Sequence, residues 1–163
     1  MRGHQYVTLA VSLLVVGCTE NASHPKATSG LSKEGPAGKI RKVRTTAYTG
    51  SEGSHYNAIG SRLQSANPVS AAADWSRFPF GTKFRLLDNN QTYVVDDYGA
   101  ALVGTETIDL YMPSRHLMNR WGVRYVRIQV VEPGSYDRSL DILRPRKRLP
   151  YVRRMVNDLQ KKL

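Results

Sequence analysis

Val94-Val-Asp-Asp97-Tyr-Gly-Ala-Ala-Leu-Val-Gly104-Thr-Glu-Thr-Ile-Asp109-Leu-Tyr111 decides how this chain is read. Two short runs rich in β-branched and apolar residues each end in or carry an aspartate. In an extended strand successive side chains point to opposite faces, so Asp109 and Tyr111 share one face while Ile108 and Leu110 share the other. The aliphatic pair enters a core, and the carboxylate is aimed at a surface. Asp97 closes its own run in the same way. Gly99 and Gly104, lacking a Cβ, let the connecting backbone pass close to whatever lies in a groove there. The two carboxylates are therefore expected to share that groove. Alternation sends the neighbouring Asp96 to the opposite face, where a solvated or turn-bonded carboxylate is the default.

Outward from this stretch, Val43 to Thr49, Val69 to Ala73, Lys83 to Leu87, Thr92 to Asp96, Thr107 to Tyr111 and Tyr125 to Val131 read as short strands separated by turn chemistry. The domain is mainly β. Asp88-Asn89-Asn90 tolerates positive φ and predicts a hairpin over Lys83 to Asp96. Gly50 to Pro68 is polar and reads as a long surface loop. Pro113-Ser114, then Arg115 to Trp121 and Gly122, has the order of a helix start, one short crossover helix and a glycine stop. Met118 and Trp121 on it are expected in the core, and Ser114 as its cap. Val126, Ile128 and Val130 alternate with Tyr125, Arg127 and Gln129, which marks a half-buried final strand. In the tail, Leu140 to Arg148 is basic, and Leu149, Val152, Val156 and Leu159 recur at helical spacing after Pro150. This predicts an amphipathic C-terminal helix docking on its own domain.

The 163 residues, with 24 Lys+Arg against 13 Asp+Glu, exclude two large domains, and an apolar fraction of 40% places the chain in the globular range. Cys18 is the sole cysteine, so no intrachain disulfide braces the fold. Residues 1–17 combine Arg2 with an uncharged apolar run from Tyr6 to Gly17, too short for a membrane-spanning helix of about 20 residues. Val15-Val-Gly17-Cys18 resembles the bacterial lipobox, which implies cleavage after residue 17 and a lipid anchor on Cys18. Thr19, where an inner-membrane retention signal would place Asp, points to the periplasmic face of the outer membrane. The division expected is a signal peptide over 1–17, a flexible Ser/Gly/Pro-rich tether over 18–39, the β domain over 40–134 and a basic helical tail over 135–163. Loss of Arg2 with the leader lowers the formal charge from +11 to +10. Such a balance suits an anionic polymer, and in an exported lipoprotein that means a cell-wall or membrane partner rather than nucleic acid.

Several stretches together resemble the 3D family, named for three aspartates and related to membrane-bound lytic transglycosylase A and to stationary-phase muralytic proteins. They are Thr46-Ala-Tyr-Thr49, Ala73-Asp74 with Pro79-Phe-Gly-Thr-Lys83, Asp97-Tyr-Gly99 through Gly104, and Ile108-Asp109-Leu-Tyr111. The resemblance implies a small six-stranded double-psi β-barrel and cleavage of the β-1,4 bond between N-acetylmuramic acid and N-acetylglucosamine in peptidoglycan. Carried over by position, it makes Asp109 the catalytic acid and base, with Asp97 beside it and Asp74 in support. The resemblance puts Thr46, Tyr98, Gly99, Gly104 and Tyr111 against the glycan, and Trp75, as an aromatic beside Asp74, is expected there too.

The chemistry accounts for this economy. Most glycosidases use two carboxylates, one to protonate the leaving oxygen and one as nucleophile or base. A lytic transglycosylase instead uses the sugar's own C6 hydroxyl. A carboxyl that has given up its proton can take the hydroxyl proton, so one residue serves both steps. That residue must stay protonated far above the ordinary Asp value of about 3.9, which requires burial or a like-charged neighbour. Other readings stand beside this one. Asp74 could serve as a structural acceptor at the turn before Pro79, and Trp75 and Tyr98 could cover the core instead of stacking on sugars. His55 with the aspartates shows no recognised metal-ligand spacing, so no metal or other cofactor is expected. The rival function is a non-catalytic peptidoglycan-binding lipoprotein, or a partner of another wall enzyme gripped through the basic tail.

Overall fold

A computed structural model describes residues 38–52 and 54–163. The leader, Cys18 and the tether up to residue 37 lie outside the described residues. Six strands, β1 (Ile40–Tyr48), β2 (Val69–Ala72), β3 (Lys83–Leu86), β4 (Thr92–Asp97), β5 (Ile108–Tyr111) and β6 (Arg124–Glu132), close into a barrel in the order β1-β5-β2-β4-β3-β6. β1 with β5 and β2 with β4 run parallel, and the other four neighbours antiparallel. Closure leaves no strand edge unpaired, which is how a sheet of such short strands satisfies its backbone. The amide of Gly38 already donates to Val130 O at 2.8 Å, so the last residues of the expected tether are tied to the barrel.

The alternation read from the sequence is the alternation of burial. Val126, Ile128 and Val130 point inward from β6, and Ile108 and Leu110, both 0% exposed, point inward from β5. Phe84 and Tyr93 oppose each other across β3 and β4 and stack at 5.5 Å. Asn90, at φ 58°, turns that hairpin as expected.

Helix α1 (Arg115–Trp121) runs over the predicted residues, with Ser114 Oγ accepting from the Leu117 amide. It buries no residue, however. Met118 and Trp121 are only partly buried: Trp121 packs against the edge of the core and its Nε1 donates to the buried Thr45 Oγ1 at 3.2 Å.

The tail departs further from expectation. Overlapping the start of the basic stretch lies α2 (Tyr136–Leu143), capped by Ser135, followed by a 3₁₀ turn over Arg144–Arg146 and α3 (Pro150–Gln160). Val152, Met155, Val156 and Leu159 of α3, with Leu140 and Leu143 of α2, join the barrel residues in one continuous core. Leu149 drops out of the stripe, since it precedes the helix and is 44% exposed, and Met155 takes its place. The tail is thus docked on its own domain, and the Phe80 amide donates to Ser139 Oγ at 2.8 Å across the junction.

Candidate active site

One face of the barrel is built by four strands in register. Thr46 of β1 opposes Asp109 of β5, and Asp109 opposes Ala72 of β2. Ala72 in turn opposes Asp97 of β4. Cross-strand partners point to the same side of a sheet, so Thr46, Asp109, Ala72 and Asp97 form one row. With strands roughly 4.8 Å apart, the Cα atoms of Asp109 and Asp97 lie about 10 Å apart, separated only by the methyl group of Ala72. All four line a cleft of about 590 Å³, together with Arg44, Tyr48, Tyr98 and Gly99.

The placement of Asp97 depends on an irregularity. Ala71 pairs with Val95 but the next residue, Ala72, pairs with Asp97, a shift that leaves Asp96 as the extra residue of a bulge. Val95 faces the core, so strict alternation would have sent Asp97 inward as well. The bulge turns it to the cleft beside Asp109. It also buries Asp96, contrary to the expectation of a solvated or turn-bonded group. Asp96 Oδ2 accepts from Asn57 Nδ2 at 2.9 Å and Ser70 Oγ at 2.8 Å, and burial pushes its carboxyl up against these two bonds.

In the cleft, Thr46 Oγ1 donates to Asp109 Oδ1 at 2.6 Å, which fixes the Asp109 carboxylate. Asp97 Oδ1 accepts from its neighbour's amide, Tyr98 N, at 2.9 Å. Burial pushes the Asp97 carboxyl up from 3.8 to about 6, against the Tyr98 amide and with the help of the Asp96 charge, while Arg146 pulls weakly the other way. Tyr48 was not foreseen. Its hydroxyl is buried without a hydrogen-bond partner among the described residues. Burial, followed by the charges of Asp97, Asp96 and Asp109, keeps it a phenol. Thr46 was expected from the family resemblance; period-two alternation along β1 places Arg44 and Tyr48 on the same face as Thr46, and that signal was available in the sequence.

Asp74 is 1% exposed and does not reach the cleft. Its Oδ1 accepts from the amide and hydroxyl of Ser76, at 2.8 and 2.7 Å, and its Oδ2 accepts from the Gly104 amide at 2.7 Å. Because residues 99–102 line the cleft, Asp74 supports the site from behind by anchoring the end of that wall. Gly104 itself belongs to this anchor, not to the cleft lining. It sits at φ +84°, and an added Cβ would meet Arg154 Nη2 at 2.9 Å.

Trp75 corrects an expectation. It is 0% exposed, its Nε1 donates to Asp97 O at 2.8 Å, and no face is open to a sugar. It braces the backbone that carries Asp97. Tyr98 lies edge-on to Trp75 at 5.0 Å and does line the cleft, so of the two aromatics only Tyr98 is placed to touch a ligand. Tyr111 is half-buried, tilted against Tyr48 at 5.6 Å, and acts on the cleft through that ring.

With this geometry in place, comparison with known families is decisive for the fold. Residues 69–132 match the model of the 3D domain. This match and the closed six-stranded barrel fit a 3D-domain double-psi β-barrel. The family is associated with peptidoglycan-active proteins. No curated protein matches the sequence. The matched segment contains Asp74, Asp97 and Asp109, whereas Thr46 and Tyr48 of β1 and the helices α2 and α3 lie outside it.

Proposed function

We propose that this 3D-domain protein is a lytic transglycosylase that cleaves the N-acetylmuramic acid to N-acetylglucosamine β-1,4 bond and leaves 1,6-anhydro ends. The observation that carries the reading is the pair of carboxylates flanking Ala72 in one cleft, one of them held up to about 6. A glycan strand lying over Ala72 would present its glycosidic oxygen between the two. In this reading Asp109, oriented by Thr46, donates its proton to the leaving oxygen and then removes the proton of the C6 hydroxyl as that oxygen attacks the anomeric carbon. Asp97 is the partner charge across the row. Tyr48 supplies a phenolic donor to the same space, and Tyr98 a ring for the sugar face.

Asp97's raised pKa favours a second assignment, in which Asp97 holds the proton and the Thr46-bonded Asp109 stays ionised to stabilise the oxocarbenium-like centre. Positioned acid-base transfer of this kind is worth roughly 10²- to 10⁴-fold in either case. Incubating the purified protein with isolated sacculi and analysing soluble products by mass spectrometry should reveal 1,6-anhydro-muropeptides. Release of none, with the protein still sedimenting with the sacculi, would replace the enzyme by a wall-binding module.

We propose further that the chain is exported and anchored through Cys18 to the periplasmic face of the outer membrane. The apolar leader and the residues before Cys18 support this. Radiolabelled palmitate incorporation that disappears on Cys18→Ala is the expected result.

A further inference from the structure

Residues 135–163 hold nine basic and three acidic side chains. The fold concentrates part of this excess. The turn joining α2 to α3 shapes a hollow of about 470 Å³ lined by Arg144, Lys147, Arg148 and Arg153, with Asn157 and Gln160 and no carboxylate among the lining side chains. The nearest acidic partner of this group, Asp141, meets Arg144 at 3.6 Å, with both side chains well exposed. Four cations are held on a short, rigid support whose apolar underside is packed into the core. The exposed Asp141 offsets only part of their mutual repulsion, and a surface of fixed negative charge would relieve the rest.

We propose that this turn is a docking face for the phosphate head groups of an anionic bilayer. One feature favours a bilayer over an anionic polymer. Leu149, next in the chain to Arg148, is 44% exposed. It places an apolar side chain next to the cations, at the level where head groups give way to acyl chains. The apolar stripe of α3 is buried in the domain, so the contact is made through head groups and this flanking leucine, not by insertion of the helix. The same turn carries Arg146, whose Nη1 donates to Tyr98 Oη at 3.3 Å on the cleft wall. Docking would therefore hold the cleft at a set distance from the bilayer. The inference does not depend on what the cleft does.

The test uses the full-length protein and its Lys147→Gln/Arg148→Gln variant, with circular dichroism to show that these exposed substitutions leave the fold unchanged. Both are titrated with vesicles of phosphatidylcholine alone and of phosphatidylcholine mixed with phosphatidylglycerol. A lipid anchor would act equally on both vesicle types and cancels in the comparison. Each basic side chain held at an anionic surface is worth about fivefold in partitioning, so the double variant should lose about 25-fold of its preference for phosphatidylglycerol. The preference of the unaltered protein should collapse between about 0.1 M and about 1 M salt, as the screening length shrinks. Equal partitioning of the two proteins overturns the proposal. So does loss of binding to sacculi without loss of binding to vesicles, which would make the face a polymer site.

Discussion

Asp97 and Asp109 stand on either side of Ala72, each paired with it in register, so β2 and the methyl group of one alanine separate two catalytic candidates on β4 and β5. The spacing is set by backbone pairing and cannot drift. Ala72→Leu should fill the gap between the carboxylates without touching the core on the other face. We expect the barrel's circular dichroism to be retained and muropeptide release to fall about 10²-fold, the loss typical of a reacting group displaced by an ångström. Unchanged release would show that the glycan does not cross Ala72.

The hydrogen bond from Thr46 fixes one oxygen of Asp109. Thr46→Val keeps the shape and removes the donor, and hydrogen bonds to charged groups are worth about 1.5–3 kcal/mol, or roughly ten- to hundredfold. The expected result is a fall of that size in kcat with KM little changed. Asp109→Asn and Asp97→Asn then separate the two assignments. The variant at the acid-base residue should release no anhydro product at any pH, whereas the other should retain residual release with a displaced pH profile.

A carboxyl whose pKa is raised on folding binds its proton more tightly in the folded chain. Its contribution to stability is present below the unfolded value and is lost as pH rises through the folded one. For Asp97 that window runs from 3.8 to about 6, and Asp96 acts in the same direction. The urea midpoint should therefore decline across this range in the unaltered protein. It should decline less steeply in Asp97→Asn, and an identical slope in the two would remove the buried, neutral-favouring environment assigned to Asp97.

Gly104 sits at φ +84° with Arg154 against the position of a Cβ, and its amide is one of the ligands of Asp74. Gly104→Ala should lower stability by about 1–3 kcal/mol, the usual cost of a non-glycine residue in this conformation. Thermal unfolding measures that cost directly. Because Asp74 would lose its hold on the wall of the cleft, activity should fall in parallel at temperatures where the variant remains folded.

Much of this was legible in the sequence because it depends on neighbours along the chain. Short β-branched and aromatic runs between turn signals located six strands, period-two alternation gave the inward set of β6, and the Ser114 to Gly122 punctuation located α1. Helix α2 escaped because its signal, Leu140 and Leu143 behind a Ser135 cap, is short and embedded among charges.

The local pattern also fixed that Asp109 leaves the core where Ile108 and Leu110 enter it, and it offered Asp97 as a companion. Only the tertiary structure could decide that the companion arrives, since strict alternation on β4 turns Asp97 into the core and a one-residue shift against β2 turns it out again. The same pairing buried Trp75 behind the site and left Asp74 as its anchor. A bulge is a property of two strands at once, and neither strand's own residues record where the other slips.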